Sequence, residues 1–292
     1  MKIVIADPLE EEVIAGLKEL GECIITPKDL NEAVADADVL IVRSATKVSE
    51  QLLSYAKKLK IVARAGVGTD NIDSEACAKR NIKVINTPSA STNAVAELAL
   101  GMMLAFCRQL HKADSSMKSG KWLKKKLMGT ELTGKTLGIV GFGRIGSSLA
   151  LKAKALGMNI LIYDTKQEQS AIGKPVSLQE LFSTADFISL HLPATPQTEK
   201  IINRKLIEVM KRTAVLINTA RGSLIDEDAL YDALSKKQIA GACLDVYENE
   251  PYAGKLCTLD NVLLTPHIGG STFEAQRRIG QELISKLKEE LL

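Results

Sequence analysis

The chain has 292 residues, enough for two cores of ordinary domain size, and its 46% apolar and 25% charged content is that of a globular protein. A formal net charge of +3, without any arginine-rich or aromatic-interleaved stripe, excludes nucleic acid as an expected partner. Cys23, Cys77, Cys107, Cys243 and Cys257 lack C-x-x-C spacing, so no metal site or disulfide framework is expected, and they read as small apolar residues of a reducing cytoplasm.

From the amino terminus, apolar runs at 3–6, 23–25, 39–42 and 61–63 alternate with segments of helical composition at 10–20, 30–35 and 49–57. Such alternation predicts a parallel sheet with helices on its faces. The first run stops at Asp7-Pro8, too short for a signal-peptide core, and is expected as a strand. Two loops leave strand ends, where open α/β sheets bind ligands: Arg43-Ser44-Ala45-Thr46-Lys47 and Arg64-Ala65-Gly66-Val67-Gly68-Thr69-Asp70. Gly66 and Gly68 either turn the chain or present N–H groups to an anion, and Arg43 is either surface charge or its counter-ion; the loops alone do not choose.

Asn86-Thr87-Pro88 breaks the pattern, and 91–107 is expected as a long helix. Its apolar stretch 94–107 contains Glu97 and Gly101 and falls short of the roughly 20 residues of a membrane span, so a buried helix at a domain junction is expected. Residues 110–134 are basic around the sole tryptophan, with Lys118, Lys121, Trp122, Lys124, Lys125 and Lys126. The run reads as a solvated face or as a segment lending charge to a phosphate in a neighbouring subunit. His111 is expected between helices, in a structural role.

The most informative stretch is 135–164. Residues 135–140 have strand character, Gly141-Phe142-Gly143-Arg144-Ile145-Gly146 follows as G-x-G-x-x-G, 147–156 has helical composition, and 159–163 is a second strand ending on Asp164. Gly141 permits the tight turn, Gly143 lets backbone approach a pyrophosphate, and Gly146 lets helix and strand pack closely. Phosphates then meet the free N–H groups at the helix start. Asp164, eighteen residues beyond Gly146, suits a ribose diol and repels a 2′-phosphate, which favours NAD over NADP.

Helices at 178–182, 204–210 and 228–235, with strands at 186–190, 214–217, 240–244 and 262–264, complete a second doubly wound sheet. The final helix, 272–292, carries Ile279, Leu283, Leu287 and Leu291 on one stripe and needs a surface to lie on. Four strand ends deliver polar residues to one edge: His191-Leu192-Pro193, Asn218 to Gly222, Asp245 to Pro251, and Thr265 to Gly270. Redox chemistry on a nicotinamide needs a base for a hydroxyl and a cation for a carboxylate, and Arg221 suits the cation. Spacing does not choose between His191 and His267 as the base, or among Asp245, Glu248 and Glu250 as its partner.

At these residues the sequence resembles the D-isomer-specific 2-hydroxyacid dehydrogenases over essentially its whole length. The likeness rests on IVRSATKVS (41–49), ARAGVGTDNID (63–73), the 120–146 segment, NTARGSLIDEDAL (218–230), GACLDVYENEP (241–251) and TPHIGGST (265–272). The resemblance implies two doubly wound, Rossmann-like parallel-sheet domains: a discontinuous substrate domain of 1–88 and 269–292, and an NAD-binding domain of 89–268. It implies Arg221 as carboxylate binder, Glu250 as acid and His267 as general acid/base. His191, Leu192, Pro193 and Thr198 become cofactor-loop residues and Glu248 a bystander. Arg144 and Ile145 are placed at the pyrophosphate, Asp164 at the ribose, and Thr219, Ala220, Asp245, Gly269 and Gly270 towards the nicotinamide.

A phosphorylated 2-hydroxy or 2-keto acid is the expected substrate, held by Arg43, Ser44, Arg64, Gly66, Val67, Gly68 and Lys124, the last across a homodimer interface at 100–135. Val67 replaces the threonine of close relatives, so a hydroxyl contact is absent there. No regulatory module, metal or membrane partner is expected. An unphosphorylated 2-keto acid as substrate, and an NAD-sensing binding protein on the same fold, are the alternatives.

Overall fold

The computed structural model describes residues 1–166 and 170–291. They divide into two compact units, Met1–Thr92 with Gly270–Leu292, and Asn93–Gly269. The first contains β1 (Lys2–Ile5), α1 (Glu11–Lys18), β2 (Glu22–Ile25), α2 (Leu30–Val34), β3 (Val39–Val42), α3 (Glu50–Tyr55), β4 (Ile61–Arg64), α4 (Ser74–Lys79) and β5 (Lys83–Asn86). Its sheet is parallel, in the order β2-β1-β3-β4-β5. All four residues of β3 are buried, which is why Val39–Val42 is a continuous apolar run: a strand covered on both faces has no polar side.

One face of this sheet packs Val4, Leu40 and Val62 against Val34, Leu52, Leu53 and Cys77. On the other, Ile3, Ile5 and Ile41 meet Val13 and Leu17 of α1 and Ile279, Leu283 and Leu287 of the C-terminal helix, Phe273–Leu291. The apolar stripe thus finds its surface on the amino-terminal sheet. The last residue of the expected helix, Leu292, lies outside the described residues. The caps of α2, α3 and α4 are Asp29, Ser49 and Asp73, each accepting a backbone N–H three residues on.

The second unit carries α5 (Thr92–Cys107), α6 (Leu110–Lys118), β6 (Thr136–Val140), α7 (Arg144–Ala155), β7 (Asn159–Tyr163), β8 (Lys174–Pro175), α8 (Leu178–Thr184), β9 (Phe187–Leu190), α9 (Arg204–Glu208), β10 (Val215–Asn218), α10 (Glu227–Ser235), β11 (Gly241–Leu244) and β12 (Val262–Leu264). Seven parallel strands run β12-β11-β10-β9-β6-β7-β8. In both sheets the chain goes out to one side of its first strand and then crosses to the other. The switch points therefore lie between β1 and β3 and between β6 and β9, and ligand crevices form at such points.

Three local expectations change. His111 lies inside α6 rather than between helices, because Gln109, at φ 51, breaks the chain just before a new helix starts at Leu110. α7 begins at Arg144, three residues earlier than its composition suggests, since Gly143 adopts the extended N-cap conformation straight out of the turn. α5 is not buried all round: Glu97 and Gly101 are exposed, and Leu104 is 39% exposed. No helix among the described residues is long and apolar enough to cross a membrane.

Candidate active site

The glycine turn sits at the switch point of the second unit. Gly141 has φ 96, and a Cβ there would lie 2.7 Å from the carbonyl oxygen of His191, the residue that follows β9. A Cβ on Gly146 would collide with the Gly141 carbonyl, so this glycine sets how closely α7 approaches β6. A Cβ on Gly143 would meet no protein atom within 4 Å: the space beside it is open. α7 starts there without a side-chain cap, and its first N–H groups are available to an anion. Asp164 is tied to the same turn, Phe142 N–H donating to its Oδ2 at 2.7 Å and Lys166 N–H to its Oδ1 at 2.9 Å. Each oxygen keeps a lone pair for a hydroxyl donor. Arg144 is exposed and Ile145 half-buried at the start of the helix.

Three neighbouring strands end in line, Asn218 pairing Leu244 and Leu244 pairing Leu264, so the loops that follow leave at one level. His267 Nδ1 lies 2.7 Å from Glu250 Oε2. A carboxylate only accepts, so Nδ1 carries the proton and Nε2 is left as the acceptor. Glu250 Oε1 takes the Tyr247 N–H at 3.1 Å, which fixes the carboxylate from the other side. His267 is in the left-handed region at φ 53, held by N–H bonds to Asp245 O (2.8 Å) and Thr265 O (3.1 Å).

Asp245 is 1% exposed, and its carboxylate accepts from Thr265 Oγ1 (2.7 Å), Ile268 N–H (2.8 Å) and Gly269 N–H (2.8 Å). A buried carboxylate with three donors is a clamp on the histidine loop. The residue expected towards the nicotinamide therefore spends its oxygens on positioning His267. Gly270 belongs to the segment leading into the C-terminal helix, its carbonyl accepting from Gln276 Nε2 at 2.7 Å.

Arg221 follows β10 on a loop shaped by the buried Asn218, whose Oδ1 accepts the Ala220 N–H at 3.0 Å and whose Nδ2 donates to the Arg221 carbonyl at 2.8 Å. The guanidinium Nη1 donates to Ala220 O at 2.6 Å. Gly222 packs directly on the Tyr247–Glu248 backbone, where a Cβ would collide. The arginine loop and the segment carrying Glu250 are thus in contact, with room for nothing larger than glycine between them. Thr219 Oγ1 is buried and finds no hydrogen-bond partner among the described residues.

His191 differs from His267. Among the described residues it has no carboxylate partner; it lies 2.9 Å from Ser189 Oγ, and burial pulls its pKa down to about 4. It is neutral near pH 7 and a weak base. Leu192 packs on Gly141, while Pro193 O and Thr195 N–H share the Thr198 hydroxyl at 2.7 and 2.8 Å, so Thr198 closes its own loop.

In the first unit, the Arg64 guanidinium lies over Gly66 where a Cβ would be. Gly66, expected to offer its N–H, already donates to Arg64 O at 2.9 Å; Val67 and Gly68 N–H make no such bond among the described residues. Arg43 is half-buried at the end of β3, with Ser44 and Lys47 exposed beside it. Lys124 opens an exposed 3₁₀ turn of three lysines, Lys124–Lys126.

Residues 100–269 match the family model described as the D-isomer specific 2-hydroxyacid dehydrogenase, NAD binding domain. Over 99% of this chain, 48% of residues are identical to a protein of Thermotoga maritima named hydroxypyruvate reductase, 98% of whose length is spanned. The chain belongs to the D-isomer specific 2-hydroxyacid dehydrogenase family. A D-3-phosphoglycerate dehydrogenase of Methanocaldococcus jannaschii is also 48% identical, over all of this chain but only 57% of its own length. Thus the chain spans little more than half of that relative. A solved D-lactate dehydrogenase of Aquifex aeolicus, complexed with NAD and lactic acid, superposes with a TM-score of 0.89 at 33% identity, covering 100% of this chain and 95% of that one.

The residues matched by the NAD binding domain model lie in the second unit, and they fit that cofactor. The open space at Gly143, the uncapped start of α7 and the anchored Asp164 suit a pyrophosphate and ribose, and the orphaned Thr219 hydroxyl lacks the polar partner that a bound amide would supply. Sequence reasoning missed Asn218, Gly222 and Tyr247 as residues that shape the site. Asn218 and Gly222 flank Arg221 inside a motif already singled out, so position alone could have flagged them. The Tyr247 hydroxyl bonds to Leu244 O (3.1 Å) and Thr265 O (2.8 Å), a bridge between strand ends that no spacing reveals.

Proposed function

We propose that the chain is an NAD-dependent dehydrogenase that oxidises D-3-phosphoglycerate to 3-phosphohydroxypyruvate. The observation that carries the reading is the 2.7 Å pair of His267 Nδ1 and Glu250, with the Arg221 loop packed against the segment that bears the glutamate. NAD, which would be held by the Gly141–Gly146 turn and Asp164, would supply the acceptor for the hydride of the substrate C2. His267 takes the C2 hydroxyl proton on Nε2 as that hydride leaves, and Glu250 stabilises the imidazolium so formed. In the reverse direction His267 starts protonated and returns the proton to the carbonyl oxygen.

Arg221 binds the substrate carboxylate through its planar fork. Cations for the phosphate are Arg43, Lys47 and Arg64, with Lys124 contributed across a homodimer interface at 100–135. That interface is supported by exposed apolar side chains, Met117 at 55%, Trp122 at 75% and Met128 at 85%. The five free thiols support a reducing cytoplasm as the compartment of such an enzyme.

The second reading, a hydroxypyruvate or glyoxylate reductase, is favoured by the Thermotoga relative that this chain spans almost completely. NADH consumption with phosphohydroxypyruvate, hydroxypyruvate and glyoxylate decides between them. A much higher kcat/KM for the phosphorylated acid, falling with salt, supports the phosphoglycerate reading. Equal values for phosphorylated and plain acids favour the reductase. No turnover with any 2-keto acid leaves an NAD-binding protein of another class.

A further inference from the structure

Two side chains that belong to neither candidate set hold the Arg43–Lys47 loop of the first unit, one from the end of β1 and one from the segment that follows the Gly66–Asp70 loop. Asp7 emerges from β1 into the switch point between β1 and β3 and is 6% exposed. Its Oδ2 accepts the Arg43 N–H at 2.5 Å and the Thr46 N–H at 3.3 Å, and its Oδ1 accepts the Thr46 hydroxyl at 2.7 Å. From the opposite side, Asn71 Nδ2 donates to the carbonyls of Arg43 (2.7 Å) and Thr46 (2.6 Å). Both protons of that amide are used, and a flipped amide would set its oxygen against two carbonyl oxygens. Asn71 is itself fixed by its backbone, accepting Val48 N–H at 2.8 Å while Asp73 N–H donates to Val48 O at 2.8 Å.

Arg43 therefore has its main-chain N–H held by one side chain and its carbonyl by another. Its guanidinium Nη1 makes a further bond of 3.3 Å to Pro8 O. The crevice where the second unit opens its glycine turn is filled here by the Asp7 carboxylate, whose negative charge bars an anion from the crevice itself. An anionic ligand is left the outer side of the 43–47 loop, where Arg43, the Ser44 hydroxyl and Lys47 are presented.

We infer that Asp7 and Asn71 are positioning residues that lock the Arg43–Lys47 loop, Asp7 to the end of β1 and Asn71 to the segment that follows the Gly66–Asp70 loop, and so set the preference for a substrate bearing a phosphate over its unphosphorylated counterpart. The inference rests on the proposed role of Arg43 as a phosphate-binding cation. Neither residue touches substrate. Each acts by fixing the backbone from which the guanidinium projects, removing the loop motion that substrate would otherwise have to arrest.

The test is the ratio of kcat/KM for phosphohydroxypyruvate to that for hydroxypyruvate, measured in the full chain with NADH for Asn71→Asp, Asp7→Asn, Thr46→Val and Arg43→Gln. Asn71→Asp is isosteric but has no donor for the two carbonyls; Thr46→Val removes one bond to Asp7. In Asn71→Asp the ratio is expected to fall about tenfold, the size of one or two lost hydrogen bonds, with the change in KM for the phosphorylated acid. Arg43→Gln should lower the ratio at least as far, and adding Asn71→Asp to it should cost little more, because both act through one guanidinium. A merely structural role would lower both substrates in parallel with the melting temperature, leave the ratio unmoved, and overturn the inference. Should Asn71→Asp not fold, Thr46→Val and Asp7→Asn carry the same test with the same outcomes. If Arg43→Gln itself leaves the ratio unchanged, the phosphate role of Arg43 is wrong and the inference falls with it; if only Arg43→Gln moves the ratio, that role stands and the locking does not.

Discussion

His267 and His191 show how environment assigns work to chemically identical side chains. Among the described residues, His267 has a carboxylate at 2.7 Å on Nδ1, whereas His191 Nε2 lies 2.9 Å from a serine hydroxyl. His267→Asn is expected to lower kcat by about 10²–10⁴-fold while NAD binding by fluorescence titration stays within a small factor, since acid/base catalysis acts on the chemical step. Arg221→Lys should be similarly severe in kcat/KM because an ammonium cannot reproduce the fork. For His191 the consequence is thermodynamic. Its pKa of about 4 in the folded chain lies below the ordinary 6.5, so the unfolded chain binds more protons as pH falls through that window. Stability that is intact above pH 6.5 is lost towards pH 4, by roughly 2 kcal/mol at pH 5. Urea unfolding of His191→Gln at pH 7 and pH 5 should show a smaller difference than the parent.

At the scale of elements, the glycine turn, α7 and the acid after β7 behave as one device. Asp164 accepts the Phe142 N–H at 2.7 Å and so shapes the loop that it is proposed to serve. Asp164→Ala is expected to raise the KM for NAD about tenfold or more and to narrow the margin over NADP, read from initial rates with both cofactors. The C-terminal helix is the other decisive element. Leu283 is fully buried beside Ile3 and Ile5, and Leu283→Ala should cost about 2–5 kcal/mol in denaturant unfolding, because it opens a cavity between this helix and the amino-terminal sheet.

For the molecule as a whole, the division of labour follows from two parallel sheets with switch points of opposite character. One opens on glycine and an uncapped helix; the other is closed by the carboxylate of Asp7. Self-association belongs to this scale. The exposed Met117, Trp122 and Met128 surround a basic run, and light scattering at working concentration is expected to give twice the 31.6 kDa of the chain. Trp122→Asp should shift that mass towards the monomer, and an unchanged monomeric mass in the parent would remove the 100–135 interface.

The sequence by itself determined the alternation of strands and helices, the dinucleotide turn with its acid, and the apolar stripe of the last helix. These are local: each follows from periodicity, glycine stereochemistry or spacing within about thirty residues. Which histidine meets a carboxylate was not legible from spacing and was implied only by the family resemblance, because Glu250 and His267 are joined by the register of β11 and β12 rather than by sequence distance. The same holds for Asp245 beneath the histidine loop, Gly222 against Tyr247, and Asp7 and Asn71 around Arg43. Only the tertiary structure decided these, since a polar side chain's role is set by the donors and acceptors that folding brings within 3 Å of it.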